Sequence, residues 1–213
     1  NWLEERLGWR GVWETIFIRK IPKVNWWYTL GSATLFVAIS QMVTGILLTL
    51  YYVPTPDHAY DSVQYITYEI AGGWFVRGVH HYGASAMIIL VGLHMLRVIF
   101  QGAYKYPREV TWFTGVFLLL ITVGFGFTGY LLPWDQKAYW ATTVGTQIAA
   151  TPPLIGEWIL RVVRGGTELS EVTLARFFGV HVWVLPAALL IFVGVHMYLV
   201  IRNGISAPPK KDE

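Results

Sequence analysis

The chain has 213 residues, of which 54% are hydrophobic and 14% charged, and its mean hydropathy is +0.46. Soluble domains carry about 25% charged residues, so this composition indicates an integral membrane protein. The net charge of only +3, with basic residues grouped beside apolar runs, excludes nucleic acid as a partner, and the lack of cysteine excludes disulfides, thiolate metal sites and cofactors attached through thioether bonds.

The first 23 residues mix charged and apolar side chains. They contain no uninterrupted apolar run, so no secretory signal is expected there. The spaced apolar and aromatic residues predict an interfacial helix that lies on the membrane surface, and we assign residues 1–28 to this N-terminal amphipathic segment. Its anchors are Trp2, Leu3, Trp9, Trp13 and Phe17.

Four apolar stretches follow, each long enough to cross a bilayer, at residues 29–52, 79–102, 112–132 and 177–201. All four are predicted to be helices, because lipid tolerates no unpaired backbone. Prolines lie beyond their ends, where helix breakers belong: Pro54, Pro56, Pro107, Pro133, Pro208 and Pro209. The predicted fold is therefore all-α, with a four-helix transmembrane bundle at 29–202 and a tail at 203–213.

Loop charge predicts the orientation of the bundle. Lysine and arginine collect in the N-terminal segment, the second loop and the tail, whereas the first loop, 54–76, is acidic and has neither. Both termini are therefore expected on the cytoplasmic side. The third loop, 135–176, carries Arg161, Arg164 and Arg176 against this trend, and it is long enough for short amphipathic helices on the outer surface.

Histidines occur in pairs on two of the spans. His80 and His94 are fourteen residues apart on the second span, and His181 and His196 are fifteen apart on the fourth. A histidine at lipid depth is costly unless something binds it, which makes these four candidate site residues. A rise of about 1.5 Å per residue separates the members of a pair by roughly 21 to 23 Å, so that one lies near each membrane face.

The topology places His80 with His181 in an outer layer and His94 with His196 in an inner layer. Imidazoles from facing helices at matched depth can fill both axial positions of a haem iron, which predicts two haems that transfer electrons. At about 100° per residue, two residues fourteen positions apart on a helix lie about 40° short of a whole number of turns, and two residues fifteen positions apart lie about 60° beyond one. Pro186 predicts a kink with local unwinding that absorbs the misfit on the fourth span.

Glycines repeat the same period on the other two spans. Gly31 and Gly45 are fourteen residues apart on the first span, as are Gly115 and Gly129 on the third. A residue without Cβ lets a flat macrocycle approach the backbone, so these positions are predicted to face the two porphyrins. The alternative is that small residues merely let helices pack closely.

Two arginines accompany the histidines of the second span. Arg77 lies three residues before His80 and Arg97 three after His94, each displaced from its histidine toward water. They are predicted to pair with haem propionates. The alternative is ordinary snorkelling of a long side chain at a helix end. His81 and His58 have no such setting, since His81 points to another helical face and His58 lies in a loop.

Together these motifs resemble cytochrome b of the quinol:cytochrome c reductases along nearly the whole chain. The fifteen-residue spacing and the four spans are similar to the split form, cytochrome b6 and the menaquinol-using b subunits of some bacteria. The motifs are Arg77-Gly-Val-His80-His-Tyr-Gly83-Ala-Ser85, Gly129-Tyr-Leu-Leu-Pro-Trp-Asp135-Gln136, Arg176-Phe-Phe-Gly-Val-His181 and Asn203-Gly-Ile-Ser206.

The resemblance implies a low-potential outer haem on His80 and His181 and a high-potential inner haem on His94 and His196. It also implies that part of a quinol-oxidation pocket is lined by Tyr139, Trp140, Ala141 and Val144, where mitochondrial-type chains carry glycine in place of Ala141. The other half of that pocket, a Pro-Glu-Trp-Tyr motif, is absent from this sequence. A companion b subunit is therefore expected, without which the chain is inactive.

One position departs from the resemblance. Chloroplast and Bacillus-like members carry a cysteine that anchors an extra haem two residues before Gly31, and Thr29 stands there in this chain. A covalent third haem is thereby excluded, which leaves room for a non-covalent one on the inner side. An inner quinone site is also expected near Lys23, Asn25 and Arg202.

The implied assembly contains a Rieske iron–sulfur protein, a c-type cytochrome and the companion b subunit, as a homodimeric complex in the bacterial cytoplasmic membrane. It would oxidise quinol at the outer side and return electrons to quinone at the inner side. Two other interpretations remain at this point. One is a di-haem membrane anchor of a dehydrogenase or hydrogenase, and the other is a channel or assembly protein whose histidines gate protons.

Overall fold

The computed structural model describes residues 25–206 and, ahead of them, residues 5, 6, 10, 11, 13, 14 and 18. The predicted N-terminal helix, with Trp2, Leu3, Trp9 and Phe17, lies mostly outside the described residues, as do Lys23 and residues 207–213. The described part is all helical. Its elements are a 3₁₀ turn at Trp26–Thr29, α1 at Leu30–Thr49, α2 at Ala59–Tyr68, α3 at Gly73–Phe100, α4 at Glu109–Leu131, α5 at Gln136–Ala149, α6 at Gly156–Arg164, α7 at Glu171–Gly179, a π turn at Val180–Val184 and α8 at Leu185–Asn203.

Four helical segments of this set are long and apolar enough to cross a membrane: Trp26–Thr49, Gly73–Phe100, Glu109–Leu131 and Glu171–Asn203. The prediction of four spans is confirmed, but all four begin earlier than expected, the second and the fourth by six residues each. The second starts at Gly73, because Gly72 adopts a left-handed conformation with φ of 77° that turns the chain into the helix. The fourth starts at Glu171, because Ser170 and Thr173 form a capping box there.

The first loop contains a helix that the sequence analysis missed. Helix α2 packs on α3 through a buried face of Ala59, Ser62, Val63 and Ile66. Two of these four side chains are small, and the helix has only ten residues. Its hydrophobic periodicity is therefore too weak to recognise, and tertiary contacts stabilise it, both with α3 and, through Ala59, with Leu131, Leu174 and Phe177.

The bundle consists of two helix pairs. Helix α1 packs along α3, and α4 packs along α8 with its preceding π turn. Each pair thus joins a span that carries two of the glycines to a span that carries two of the histidines. Four buried residues, Ala38, Val91, Thr122 and Leu189, lie between the two histidine layers in sequence, one on each span. Interior packing between the layers is therefore made by small and medium side chains.

We call the end of the bundle that carries α2, α5 and α6 the outer end, after the charge-based prediction. Its core is formed by Ala59, Leu131, Leu174 and Phe177, all buried. The Tyr52 hydroxyl donates to the Leu132 carbonyl at 2.6 Å and so joins the end of α1 to the end of α4. Burial raises the pKa of Tyr52 well above its ordinary value, so this donor stays protonated.

The opposite, inner end is closed by a contact between the start of α4 and the end of α8. Arg108 donates to the carbonyls of Asn203 and Gly204, which the end of a helix leaves without intrahelical partners. Asn203 in turn donates to the Pro107 carbonyl at 3.3 Å. Arg108, used above only as an orienting charge, therefore also caps α8.

Candidate haem and quinol sites

The outer layer brings His80 and His181 together across the two helix pairs. Their ring centres are 6.3 Å apart, and the ring planes meet at 77°. With a metal–nitrogen distance of about 2.0 Å and a ring centre about 1.1 Å beyond the nitrogen, two imidazoles on opposite sides of one metal ion stand about 6.2 Å apart. The observed separation therefore fits two axial ligands of a single haem iron.

The inner layer repeats this arrangement with His94 and His196. His94 lies against Gly31 of α1, and His196 lies against Gly115 of α4, at the end of the bundle opposite to His80 and His181. One histidine again comes from each helix pair. The pairing of depths predicted from topology is thus the pairing that the structure shows.

The four glycines predicted to face porphyrins each lie against the imidazole of a candidate ligand. A Cβ added at Gly129 would stand 2.7 Å from Cε1 of His181. The corresponding distance from a Cβ at Gly31 to Cε1 of His94 would be 3.1 Å. From Gly45 to His80 it would be 3.2 Å, and from Gly115 to His196 it would be 3.5 Å. Van der Waals contact between carbons begins near 3.5 to 4.0 Å, so a side chain at Gly129 would force a shift, one at Gly31 or Gly45 would push the imidazole by a few tenths of an ångström, and one at Gly115 would fit.

Threonines that the sequence analysis missed set the protonation of three of the candidate ligand histidines. Each threonine hydroxyl gives its one hydrogen to a backbone carbonyl of its own helix and therefore accepts from the histidine Nδ1–H. This holds the proton on Nδ1 and leaves the Nε2 lone pair free for a metal. The Oγ1 to Nδ1 distances are 3.0 Å for Thr44 and His80, 2.9 Å for Thr114 and His196, and 3.0 Å for Thr128 and His181.

The signal for these threonines was present in the sequence. Each stands immediately before one of the four glycines, as Thr44-Gly45, Thr114-Gly115 and Thr128-Gly129. The fourth glycine follows Leu30 instead, and in the described part of the chain no hydrogen bond joins His94 to a side chain. The inner layer is therefore the less symmetric of the two.

The π turn at Val180–Val184 explains the fifteen-residue spacing on the fourth span. A π turn accommodates one more residue than an α-helical turn, so His181 and His196 keep the register of a fourteen-residue pair. Pro186, in the first turn of α8, has no N–H with which to continue the α-helical hydrogen bonds through this point. The unwinding predicted near Pro186 is confirmed and lies just before the proline.

Arg97 lies one turn beyond His94 and is poised for an anion. Its Nε and Nη2 atoms are buried and have no hydrogen-bond partner among the described residues, and its guanidinium stacks 3.7 Å from the ring centre of Tyr28. Buried donors of this kind are costly unless they are paired. A haem propionate would pair them, so Arg97 fits its predicted role. Arg77 is half-buried, and no hydrogen bond or ion pair is found for it in the described part of the structure.

The histidines set aside in the sequence analysis lie apart from both layers. His81 is exposed and packs edge to face with the neighbouring Tyr82, at 5.1 Å between ring centres. His58 is exposed at the start of α2.

The predicted quinol-pocket segment is the first half of α5. Asp135 caps this helix by accepting from the Ala138 N–H at 2.8 Å. Trp140, Ala141 and Val144 are exposed on α5, and Ile148, one turn further on, extends them into an apolar stripe that the sequence analysis did not include. Tyr139 instead turns inward and packs edge to face with Trp134. No described residue covers this stripe.

The inner quinone site was predicted near Lys23, Asn25 and Arg202. Asn25 is exposed, and its side chain accepts from the Trp27 N–H, which caps the 3₁₀ turn. Arg202 is exposed at the end of α8. Thr29, in the place of the haem-anchoring cysteine, donates to the Trp26 carbonyl at 2.7 Å.

The profile of the cytochrome b/b6/petB family matches residues 17–204. The chain belongs to the cytochrome b/b6 family. Two curated relatives agree: the menaquinol:cytochrome c reductase cytochrome b subunit of Geobacillus thermodenitrificans is 47% identical over 217 residues, covering 98% of this chain and 97% of the relative. Cytochrome b6 of Acaryochloris marina is 42% identical over 209 residues, with 98% and 97% covered.

A solved chain described as hyperthermophilic respiratory Complex III has the same fold, with a TM-score of 0.87 and 35% identity. The match covers 97% of this cytochrome b/b6 chain but 56% of the solved one, so this chain spans little more than half of that relative. The family confirms the resemblance drawn from the histidine and glycine motifs, and it identifies a haem-binding membrane protein of electron transport.

Proposed function

We propose that this cytochrome b/b6 chain is the di-haem subunit of a quinol:cytochrome c oxidoreductase. The observation that carries the proposal is the pair of imidazoles, His80 and His181, set 6.3 Å apart on facing helices. A second pair at the other depth, His94 and His196, supports a second haem. A di-haem anchor of a dehydrogenase or hydrogenase would not require this regular spacing, and the relatives do not favour it.

Two non-covalent b-type haems, when bound, supply one-electron carriers at two depths of the membrane. The protein's contribution is to orient and tune them. His80, His181, His94 and His196 present Nε2, and the threonine hydrogen bonds raise the basicity of three of these imidazoles. The buried cation of Arg97 offsets propionate charge at the inner layer, and Arg77 takes the equivalent place at the outer layer.

Quinol is proposed to bind against the exposed stripe of α5, with Trp140, Ala141 and Val144 as contacts and Tyr139 supporting them from behind. The exposure of this stripe supports a pocket whose other wall belongs to a companion b subunit. The chain is accordingly proposed to be inactive in quinol oxidation by itself.

The rest of the proposed assembly follows the relatives. It contains a Rieske iron–sulfur protein, a c-type cytochrome and a second copy of the complex, in a bacterial cytoplasmic membrane with both termini on the cytoplasmic side. Menaquinol is the proposed substrate, since the bacterial relative is named for it. Asn25 and Arg202 are proposed to border the inner quinone site, and a third, non-covalent haem would lie on the same side.

The test is loss of one haem without the other. His80→Ala in the complex should lower the haem content, measured as pyridine haemochrome, from two per chain to one, and remove one of two midpoint potentials in a redox titration. His81→Ala is the matched control and should keep both haems, because His81 is exposed and lies outside the layers. Unchanged haem content in His80→Ala would remove this residue from the ligands, and a wild-type chain without haem would favour the proton channel.

A further inference from the structure

Three arginines of the third loop run against the charge trend, and the structure gives each a partner. Arg161 forms an exposed ion pair with Glu157 at 2.6 Å. Arg176 of α7 donates to the carbonyls of Arg161 and Val162, and so caps the last turn of α6. Arg164 differs from both, because it is 5% exposed.

The guanidinium of Arg164 is held by neutral oxygens alone. Its Nε donates to Oγ1 of Thr146, its Nη1 to the Thr167 carbonyl and its Nη2 to the Thr143 carbonyl, each at 2.8 Å. Within the described part of the chain no carboxylate forms an ion pair with it. A buried cation without a counter-charge is costly, so the fold satisfies it through hydrogen bonds whose directions match the planar fork of an arginine.

These bonds join two functional parts of the molecule. Thr146 lies on the buried face of α5 and Thr143 is half-buried beside it, whereas the opposite face of the helix carries the proposed quinol pocket. The backbone carbonyl of Arg164 accepts from the fully buried Thr173 of α7 at 2.6 Å. Helix α7 leads directly into the π turn that contains His181. Arg164 therefore connects α5, which carries the proposed quinol pocket, to the segment that carries His181, a proposed ligand of the outer haem.

We propose that Arg164 is a positioning residue for quinol oxidation, which holds the pocket face of α5 at a set place relative to the outer haem. The inference rests on the proposed function, because it takes α5 as part of the quinol pocket. Arg164 itself is turned away from the exposed stripe and touches no substrate. Displacement of a reacting group by about 1 Å can cost about a hundredfold in rate. The hydrogen bonds of Arg164 therefore affect catalysis although its side chain does not contact the quinol.

The test is Arg164→Lys in the assembled complex, in its membrane, with menaquinol and the c-type acceptor. Lysine keeps the charge but cannot reach three acceptors in one plane, so kcat/KM for quinol should fall about tenfold to a hundredfold, mainly through kcat. Haem content and the outer-haem midpoint potential should stay at wild-type values. Arg161→Lys is the matched control, on the same helix and exposed, and should leave kcat/KM unchanged.

A second variant, Thr146→Val, keeps Arg164 but removes the hydroxyl that accepts from its Nε. It should also lower kcat/KM, by a smaller factor than Arg164→Lys. Activity of Arg164→Lys within twofold of wild type, or an equal loss in Arg161→Lys, would overturn the proposal. The proposal would also be overturned if haem content and activity fell by the same factor in both Arg164→Lys and Thr146→Val, because the hydrogen bonds of Arg164 would then stabilise the fold alone. A wild-type complex that does not oxidise quinol would instead refute the proposed function.

Discussion

Adding one methyl group to α4 should damage the outer haem site and spare the inner one. In Gly129→Ala the new Cβ would stand 2.7 Å from Cε1 of His181, whereas in Gly115→Ala it would stand 3.5 Å from Cε1 of His196. Carbon atoms in contact are about 3.5 to 4.0 Å apart, so the first variant must move the ring or the helix by about 0.8 Å or more. The second needs no movement.

The size of the difference follows from two opposing effects. Replacing glycine by alanine inside a helix favours folding by about 1 kcal/mol, which is all that Gly115→Ala should show. Overpacking costs about 1 to 3 kcal/mol and falls on Gly129→Ala. Both positions lie inside α4 and share the gain from alanine, so the variants should differ by the overpacking cost alone, about 1 to 3 kcal/mol, which corresponds to about a fivefold to 140-fold difference in haem retention.

The assay is haem content per chain together with a redox titration of both midpoint potentials in the purified complex. Gly129→Ala should lose the outer haem or bind it with an altered potential, and Gly115→Ala should keep both haems. Gly31→Ala and Gly45→Ala, with distances of 3.1 and 3.2 Å, should fall between them. Equal haem retention in Gly129→Ala and Gly115→Ala would refute the reasoning, because then these distances do not decide the fit.

Two further variants test the ligand environment. Thr128→Val removes the acceptor of the His181 Nδ1–H, so haem affinity should fall about tenfold to a hundredfold and the midpoint potential of the outer haem should rise. The control is Thr122→Val, on the same helix but away from the histidines, which should change neither quantity. Arg97→Gln removes a cation whose buried donors lack hydrogen-bond partners, so a redox titration should show a lower midpoint potential for the inner haem and an unchanged one for the outer haem. The exposed Arg202→Gln is the control. An unchanged midpoint potential of the inner haem in Arg97→Gln would show that Arg97 does not face a haem.

The fold class and the candidate ligands follow from local features of the sequence. A span needs only about twenty apolar residues, and a histidine within it is anomalous wherever the helix sits, so neither inference depends on tertiary contacts. The depth pairing of His80 with His181 needs only loop charges and helix direction. The alternating direction of consecutive spans therefore sufficed for the pairing that the structure shows, whereas the assignment of membrane sides from loop charge stays a prediction.

Other features were decided only when the helices packed. Helix α2 is stabilised by its contact with α3, and the hydrogen bond from His181 to Thr128 exists only because the π turn ahead of α8 faces α4. In the sequence Arg164 only runs against the charge trend, whereas in the structure it is buried against α5 by hydrogen bonds to Thr146 and Thr143. The physical reason is range: bilayer crossing depends on the hydropathy and length of one segment, whereas hydrogen-bond partners and glycine clearances depend on which faces of distant segments meet.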